Sequence, residues 1–100
     1  MRMKTNIIVL LESDLASRAK ARNYREAVNQ IITRGNRVEF DFSNVFSISD
    51  SFADELFGVL AYEIGRDGIS DYIKVINAKD SIYKVIALNI LNRLNQNVAA

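Results

Sequence analysis

Apolar residues along this chain alternate between short runs with strand character and longer stretches with helical spacing. Ile7-Ile8-Val9-Leu10-Leu11 is an unbroken β-branched and leucine run, which predicts a strand covered on both faces. Tyr24, Ala27, Val28 and Ile31 recur at the spacing of one buried helical face. Ser13 and Ser17 offer N-caps ahead of that helix, and Gly35-Asn36 ends it. Val38-Glu39-Phe40-Asp41-Phe42 alternates apolar and acidic residues, the period-two mark of a strand with one covered face. A Ser- and Asp-rich loop from Ser43 to Ser51 leads into a second helix, whose apolar face is Phe52, Leu56, Val59, Leu60 and Ile64. Gly58 inside that helix costs about 1 kcal/mol against Ala, and close packing against the sheet is the simplest reason for it. Gly65-Arg66-Asp67-Gly68 is the exit turn.

Tyr72-Ile73-Lys74-Val75-Ile76 reads as a third strand, and Asn77 with Asp80 resembles a capping box opening a last helix. Ile82, Val85, Ile86 and Ile90 form the core stripe of that helix. Ala87, Leu88, Leu91 and Leu94 widen its apolar surface beyond one stripe, so the helix is either deeply buried or meets a second chain as a homodimer. The order is β-α-β-α-β-α. It predicts a single α/β domain over residues 1–100, with a mixed, mostly parallel sheet of three to four strands and helices packed on it. A short extra strand is expected at the N-terminus or near Val45–Ile48.

Composition narrows the chemistry. The chain has 100 residues, 49% hydrophobic and 25% charged, an ordinary globular balance. Histidine and cysteine are both absent. That removes a Ser-His-Asp triad, a catalytic thiol and zinc sites built on those ligands. No Walker-type or G-x-G-x-x-G loop is present. The expectation is a protein that is not an enzyme and needs no cofactor or metal. No apolar run approaches the ~18 residues that span a bilayer, and the five-residue run at Ile7 is too short for a signal peptide. A cytoplasmic location without membrane association is therefore expected.

Net charge is +1, which argues against a dedicated nucleic-acid binder. Its distribution is uneven: residues 1–37 hold eight Lys/Arg and three Asp/Glu, whereas residues 38–100 hold five and nine. Arg18, Arg22 and Arg25 recur at i, i+4 and i+7, the spacing of one helical stripe, and Lys20 is near them in sequence. That stripe is a candidate phosphate or nucleic-acid contact, or else simply a solvated face. No aromatic residues interleave with it to stack bases.

A block in the middle of the chain carries a family resemblance. Val38-Glu39-Phe40-Asp41-Phe42-Ser43-Asn44-Val45, followed by Ile48-Ser49-Asp50-Ser51-Phe52-Ala53-Asp54-Glu55-Leu56-Phe57-Gly58, resembles the STAS-like domain family of unknown function. Ile73-Lys74-Val75-Ile76-Asn77-Ala78 fits that family's next strand and turn, and Ser17-Arg18 with Ala21 fits the element ahead of its first strong helix. The likeness runs over about residues 17 to 90. The family looks like a relative of bacterial anti-sigma-factor antagonists, whose STAS domains bind ATPase-fold kinases and are switched by serine phosphorylation. In those proteins an Asp-Ser pair precedes the corresponding helix. Here Asp50-Ser51 reproduces the pair in one register; in the other, Asp50 takes the phosphoserine position behind Ser49. Phe52 stands where glycine usually follows.

The resemblance implies a cytoplasmic signalling module that is regulatory and non-catalytic. It would dock an ATPase- or kinase-like protein partner through Ser49, Asp50, Ser51, Phe52, Asp54 and Glu55, with Ser49 and Ser51 as candidate phosphosites. The plainer reading makes Ser49, Asp50 or Ser51 an N-cap, with Ser51 and Asp54 as a capping-box variant. A magnesium site among Asp41, Asp50, Asp54 and Glu55 would also want a strand-end phosphoacceptor and a nearby basic partner, and the sequence alone places no such set. The alternative function is nucleic-acid or nucleotide-phosphate binding through Arg18, Arg22 and Arg25.

Overall fold

A computed structural model describes residues 3–99. Strand β1 (Thr5–Val9) and the short β2 (Asp14–Leu15) precede helix α1 (Arg18–Thr33). Strand β3 (Arg37–Asp41) and the short β4 (Ser47–Ile48) lead into helix α2 (Asp50–Ala53), which continues through one π-helical turn (Asp54–Gly58) into α3 (Val59–Tyr72). Strand β5 (Ile73–Ile76) and helix α4 (Asp80–Ala99) follow. The order β1-β3-β5 forms a three-stranded, wholly parallel sheet. The extra strand expected near Val45–Ile48 exists as β4, but it pairs with β2 in a separate two-stranded ladder. Met1 and Arg2, where the alternative N-terminal strand would begin, lie outside the described residues.

The element ends follow from local chemistry. Ser17 caps α1 by accepting from the Lys20 amide at 3.2 Å. The helix closes with a Schellman pair: Gly35 N–H donates to the Ile32 carbonyl at 2.8 Å and Asn36 N–H to that of Ile31 at 3.1 Å. The exit turn expected at Gly65–Gly68 is a break and not an end. Gly65 leaves the helix at φ 77°, where a side chain would be strained, and helical geometry resumes to Tyr72. Asn77 does not cap α4, which begins three residues later. Instead it adopts φ 60°, tolerated by Asn, and donates its side-chain amide to Asp41 at 3.2 Å.

The sheet is covered on one face only, and the topology explains why. Two right-handed crossovers stepping in the same direction across a sheet put both of their helices on the same side. Val38, Phe40 and Phe42 are fully or almost fully buried beneath that layer, together with Leu10, Val28, Phe52, Leu56, Phe57 and Leu60. Phe57 anchors the layer, with ring centroids 5.3 Å from Phe40 and 6.2 Å from Phe42. Each such buried ring contributes on the order of 1.5–3 kcal/mol of apolar burial. The other face stays bare, so β1 is not covered on both sides as its sequence predicts. Ile7 and Val9 are exposed there, beside Glu39 and Lys74, whose charged ends lie 4.0 Å apart.

Helix α4 lies chiefly against the π turn and α3 and meets the main sheet at its β5 edge, where the Tyr83 hydroxyl donates to Val75 O at 3.1 Å. Ile82 and Ile86 are buried there, whereas Leu88 and Leu91 remain exposed; the widened apolar surface is thus not deeply buried within this chain. Its approach accounts for Gly58, which faces α4 and not the sheet. A Cβ at Gly58 would lie 2.7 Å from Asp54 Oδ1, 3.0 Å from Arg93 Cγ and 3.2 Å from the Asn89 carbonyl oxygen. In an exposed helix, Gly→Ala stabilises by about 1 kcal/mol. Here Gly58→Ala is expected to destabilise by about 1–3 kcal/mol through overpacking, read as a lowered urea midpoint at unchanged slope.

Candidate functional site

The turn formed by Ser49, Asp50 and Ser51 is held from two sides. On one side β4 is tied to β2. Ser13 O accepts from the amides of Phe46 and Ser47 at 2.7 and 3.1 Å, and the Ser49 amide donates to Leu15 O at 2.8 Å. Ser47 Oγ donates to Asp14 at 2.6 Å. On the other side the turn opens α2. Ser49 Oγ accepts from the Phe52 amide at 3.1 Å, an N-cap, and donates to Ala16 O at 3.4 Å. Of the three residues that the plainer reading offers as the cap, Ser49 takes the role, and the Ser51–Asp54 capping box does not form because Arg93 holds the Asp54 carboxylate. Ser51 and Asp50 stand on the exposed surface. Asp50 accepts from the Asn89 side-chain amide of α4 at 3.2 Å. Phe52 is fully buried and packs edge-on to Tyr24 at 6.2 Å, so it supports the turn from beneath and offers a partner no surface.

Asp54 and Glu55 point to different neighbours. Asp54 takes a bidentate pair from Arg93 of α4, both bonds at 2.8 Å. Glu55 accepts from Arg25 of α1 at 2.8 Å, and the same guanidinium donates to the Glu55 backbone carbonyl at 2.9 Å. Arg18 lies across both carboxylates, 3.4 Å from Asp54 and 3.2 Å from Glu55. The two candidate sites read from the sequence thus face one another: the acidic helix start holds two arginines of the basic stripe. Arg22 remains exposed and adds its field to Glu55. Of the residues considered for magnesium, Asp54 and Glu55 are held by arginines, Asp50 turns to Asn89, and Asp41 accepts from the Ser43 amide and Asn77.

These pairs shift proton affinities. Hydrogen bonds from Arg93 hold the Asp54 carboxyl below its ordinary value, outweighing the cost of partial burial. Burial pushes the Glu55 carboxyl up, but hydrogen bonds from Arg25 and Arg18 overcome this and leave it lowered. The π turn that carries both residues is of a kind often found at functional positions. Its pairing pattern is not readable from the sequence, because partners 30 to 39 residues apart leave no local signal.

An exposed aromatic belongs to the same loop, and nothing in the sequence pattern singles it out. Phe46 is 66% exposed, and the Lys79 ammonium lies 3.7 Å from its ring centroid, a cation–π contact. A shallow groove bordered by Glu12, Lys20, Asn23, Tyr24 and Ala27 lies elsewhere, between the β1–β2 connection and α1.

A family model described as a STAS-like domain of unknown function matches residues 22–83. The chain belongs to that family. Comparisons with curated proteins and with solved structures find no match. The family match spans β3, the Ser49 turn, the π turn and β5. In this STAS-like domain Arg18, Arg25 and Arg93 therefore serve the fold, whatever else they contact. Among the described residues no helix is long and apolar enough to cross a membrane.

The lowered Asp54 value makes a pH prediction. A carboxyl depressed in the folded state stabilises fully above its unfolded value, near 3.8, and that stability is lost as pH falls through the folded value. Asp54→Asn is expected to cost about 1–3 kcal/mol near pH 7. It is also expected to flatten the loss of stability between neutral and acid pH, measured by urea unfolding of both proteins across that range.

Proposed function

We propose that this STAS-like domain is a non-catalytic regulatory module that docks a protein partner, of ATPase or kinase fold by the family analogy, through the loop and turn from Phe46 to Ser51. The observation that carries the reading is Phe46. An aromatic side chain two-thirds exposed in a loop held by backbone hydrogen bonds is costly to leave in water and suited to anchoring a partner. Its backbone is fixed through Ser13, and its ring is steadied by Lys79, so little ordering entropy remains to be lost on binding.

The turn adds polar contacts to that anchor. Asp50 and Ser51 are exposed on the same rigid segment. Lys79 beneath Phe46 and Asn89 beneath Asp50 are both borne by the α4 region, roughly 15 Å apart at 1.5 Å per helical residue. That span fits within one standard interface. Asp54 and Glu55 stand behind this surface as supports, since their carboxylates are already engaged by arginines. Ser51 is the serine open to modification; Ser49 spends its hydroxyl on the cap. A phosphate on Ser51 would add ~1.5–2 negative charges beside Asp50 and weaken any partner that meets this patch with acidic residues.

The test is a tagged recovery from source-cell lysate with wild type, Asp50→Lys and Phe46→Ala. One protein with an ATPase-type domain should be recovered by the wild type and lost with both variants, while circular dichroism and urea midpoints stay near wild type. Equal recovery by all three baits would refute the docking surface. Recovery of nucleic acid alone, abolished by Arg22→Glu, would move the function to α1.

A further inference from the structure

The second surface that needs an explanation is the free edge of β1. In the main sheet β1 is outermost, and β3 is the element it packs against to any extent. The Arg37 amide donates to Lys4 O, and the Leu10 amide donates to Asp41 O. Backbone direction alternates along a strand, so even-numbered residues of β1 bond to β3. Thr5, Ile7 and Val9 aim their N–H and C=O groups outward, and Leu11 follows just beyond the end of the strand. Their side chains share the bare face of the sheet, where Ile7 is 62%, Val9 43% and Leu11 78% exposed.

Edge strands in natural proteins are normally blunted by charge, proline, a bulge or a covering element. From Thr5 to Leu11 this edge carries no charge and no proline. It offers a row of unpaired backbone groups beside an apolar strip, and the chemistry that satisfies both is another strand with apolar side chains on the same face.

We propose that the occupant is β1 of a second copy of this chain, paired antiparallel about a two-fold axis at Ile8. In that register Ile7 of each copy faces Val9 of the other, and Thr5 faces Leu11. Ile7 and Val9 are outward-directed residues, so they supply the central hydrogen-bonded pairs, while Ile8 faces its own copy across the axis. The same register brings Lys4 at the start of each strand towards Glu12 beyond the end of the other, where it would add a second cation to a carboxylate already held by Tyr24 at 3.0 Å and Lys20 at 3.8 Å. Such an interface is isologous and closes on itself. It makes one six-stranded sheet of order β5-β3-β1-β1-β3-β5, with the Ile7, Val9 and Leu11 side chains of both copies gathered at its centre. The docking loop from Phe46 to Ser51 does not take part, so the dimer would present that surface twice.

The test is sedimentation of the full chain over a concentration series, with hydrogen exchange on the same samples. Wild type should approach twice the 11.3 kDa of one chain, and the Ile7 and Val9 amides should gain protection as the dimer fills. Ile7→Lys places like charges across the axis region and should raise the dissociation constant at least about tenfold. Val9→Pro removes an outward N–H without touching the β1–β3 ladder and should act likewise. Circular dichroism of both variants should remain that of the wild type. A wild type that stays monomeric throughout, or a dimer in which the Ile7 and Val9 amides exchange freely, overturns the proposal. So does a dimer that survives both edge variants and is broken by Leu88→Lys on α4.

Discussion

The arginine clamp on the π turn is the constraint from which the rest of the structure follows. Asp54 and Glu55 are adjacent in sequence, yet Asp54 is gripped mainly by Arg93 of α4 and Glu55 by Arg25 of α1, with Arg18 of α1 across both. The helical segment between those neighbours is almost wholly buried: Glu55, Leu56, Phe57 and Gly58 all lie inside. Carboxylates are costly to place there unless they are paired and hydrogen-bonded. Guanidinium contacts satisfy them, and among the described residues no buried side-chain nitrogen or oxygen lacks a partner. Phe57, carried by the same turn, then meets Phe40 and Phe42 on the sheet. One turn therefore aligns the sheet and two helices at once.

That arrangement divides the surface by role. The start of α2 is fixed from behind by the clamp and from the side by the β2–β4 ladder, so what it shows to solvent is the short set Phe46, Asp50 and Ser51. The crossovers leave the opposite face of the sheet bare, with an apolar strip along one edge. The first surface lies within the stretch that the STAS-like family model matches. The second follows from topology alone, because a sheet whose crossovers all step one way cannot cover its own far side.

Much of this was legible in the sequence, for physical reasons. The strands at Ile7, Val38 and Ile73 declared themselves through β-branched runs and alternation, which reflect burial directly. Ser17 and Ser49 sit where capping chemistry places them. The Phe-Ala-Asp-Glu block pointed to the family, and the turn it opens is where the exposed serine lies. What stayed hidden depends on distance in the chain. Arg18 and Arg25 form a convincing basic stripe when α1 is viewed alone, and only the fold reveals the carboxylates opposite. Gly58 signals close packing without saying against what. The unbroken apolar run at Ile7 looks like a fully buried strand, although the same pattern suits an edge that meets another chain. Asn77 has the composition of a cap, but its positive φ serves the strand exit.

The most direct measurement of the clamp is a double-mutant cycle between Arg25→Met and Glu55→Gln, followed by urea unfolding at neutral pH. If the pair locks α1 to the π turn, the two changes should couple by about 1 kcal/mol or more, within the range seen for contacting residues, and each single variant should loosen exchange protection in both α1 and α2. Additive effects, with protection lost only around the mutated residue, would mean that the arginines merely decorate a helix packed by its apolar face.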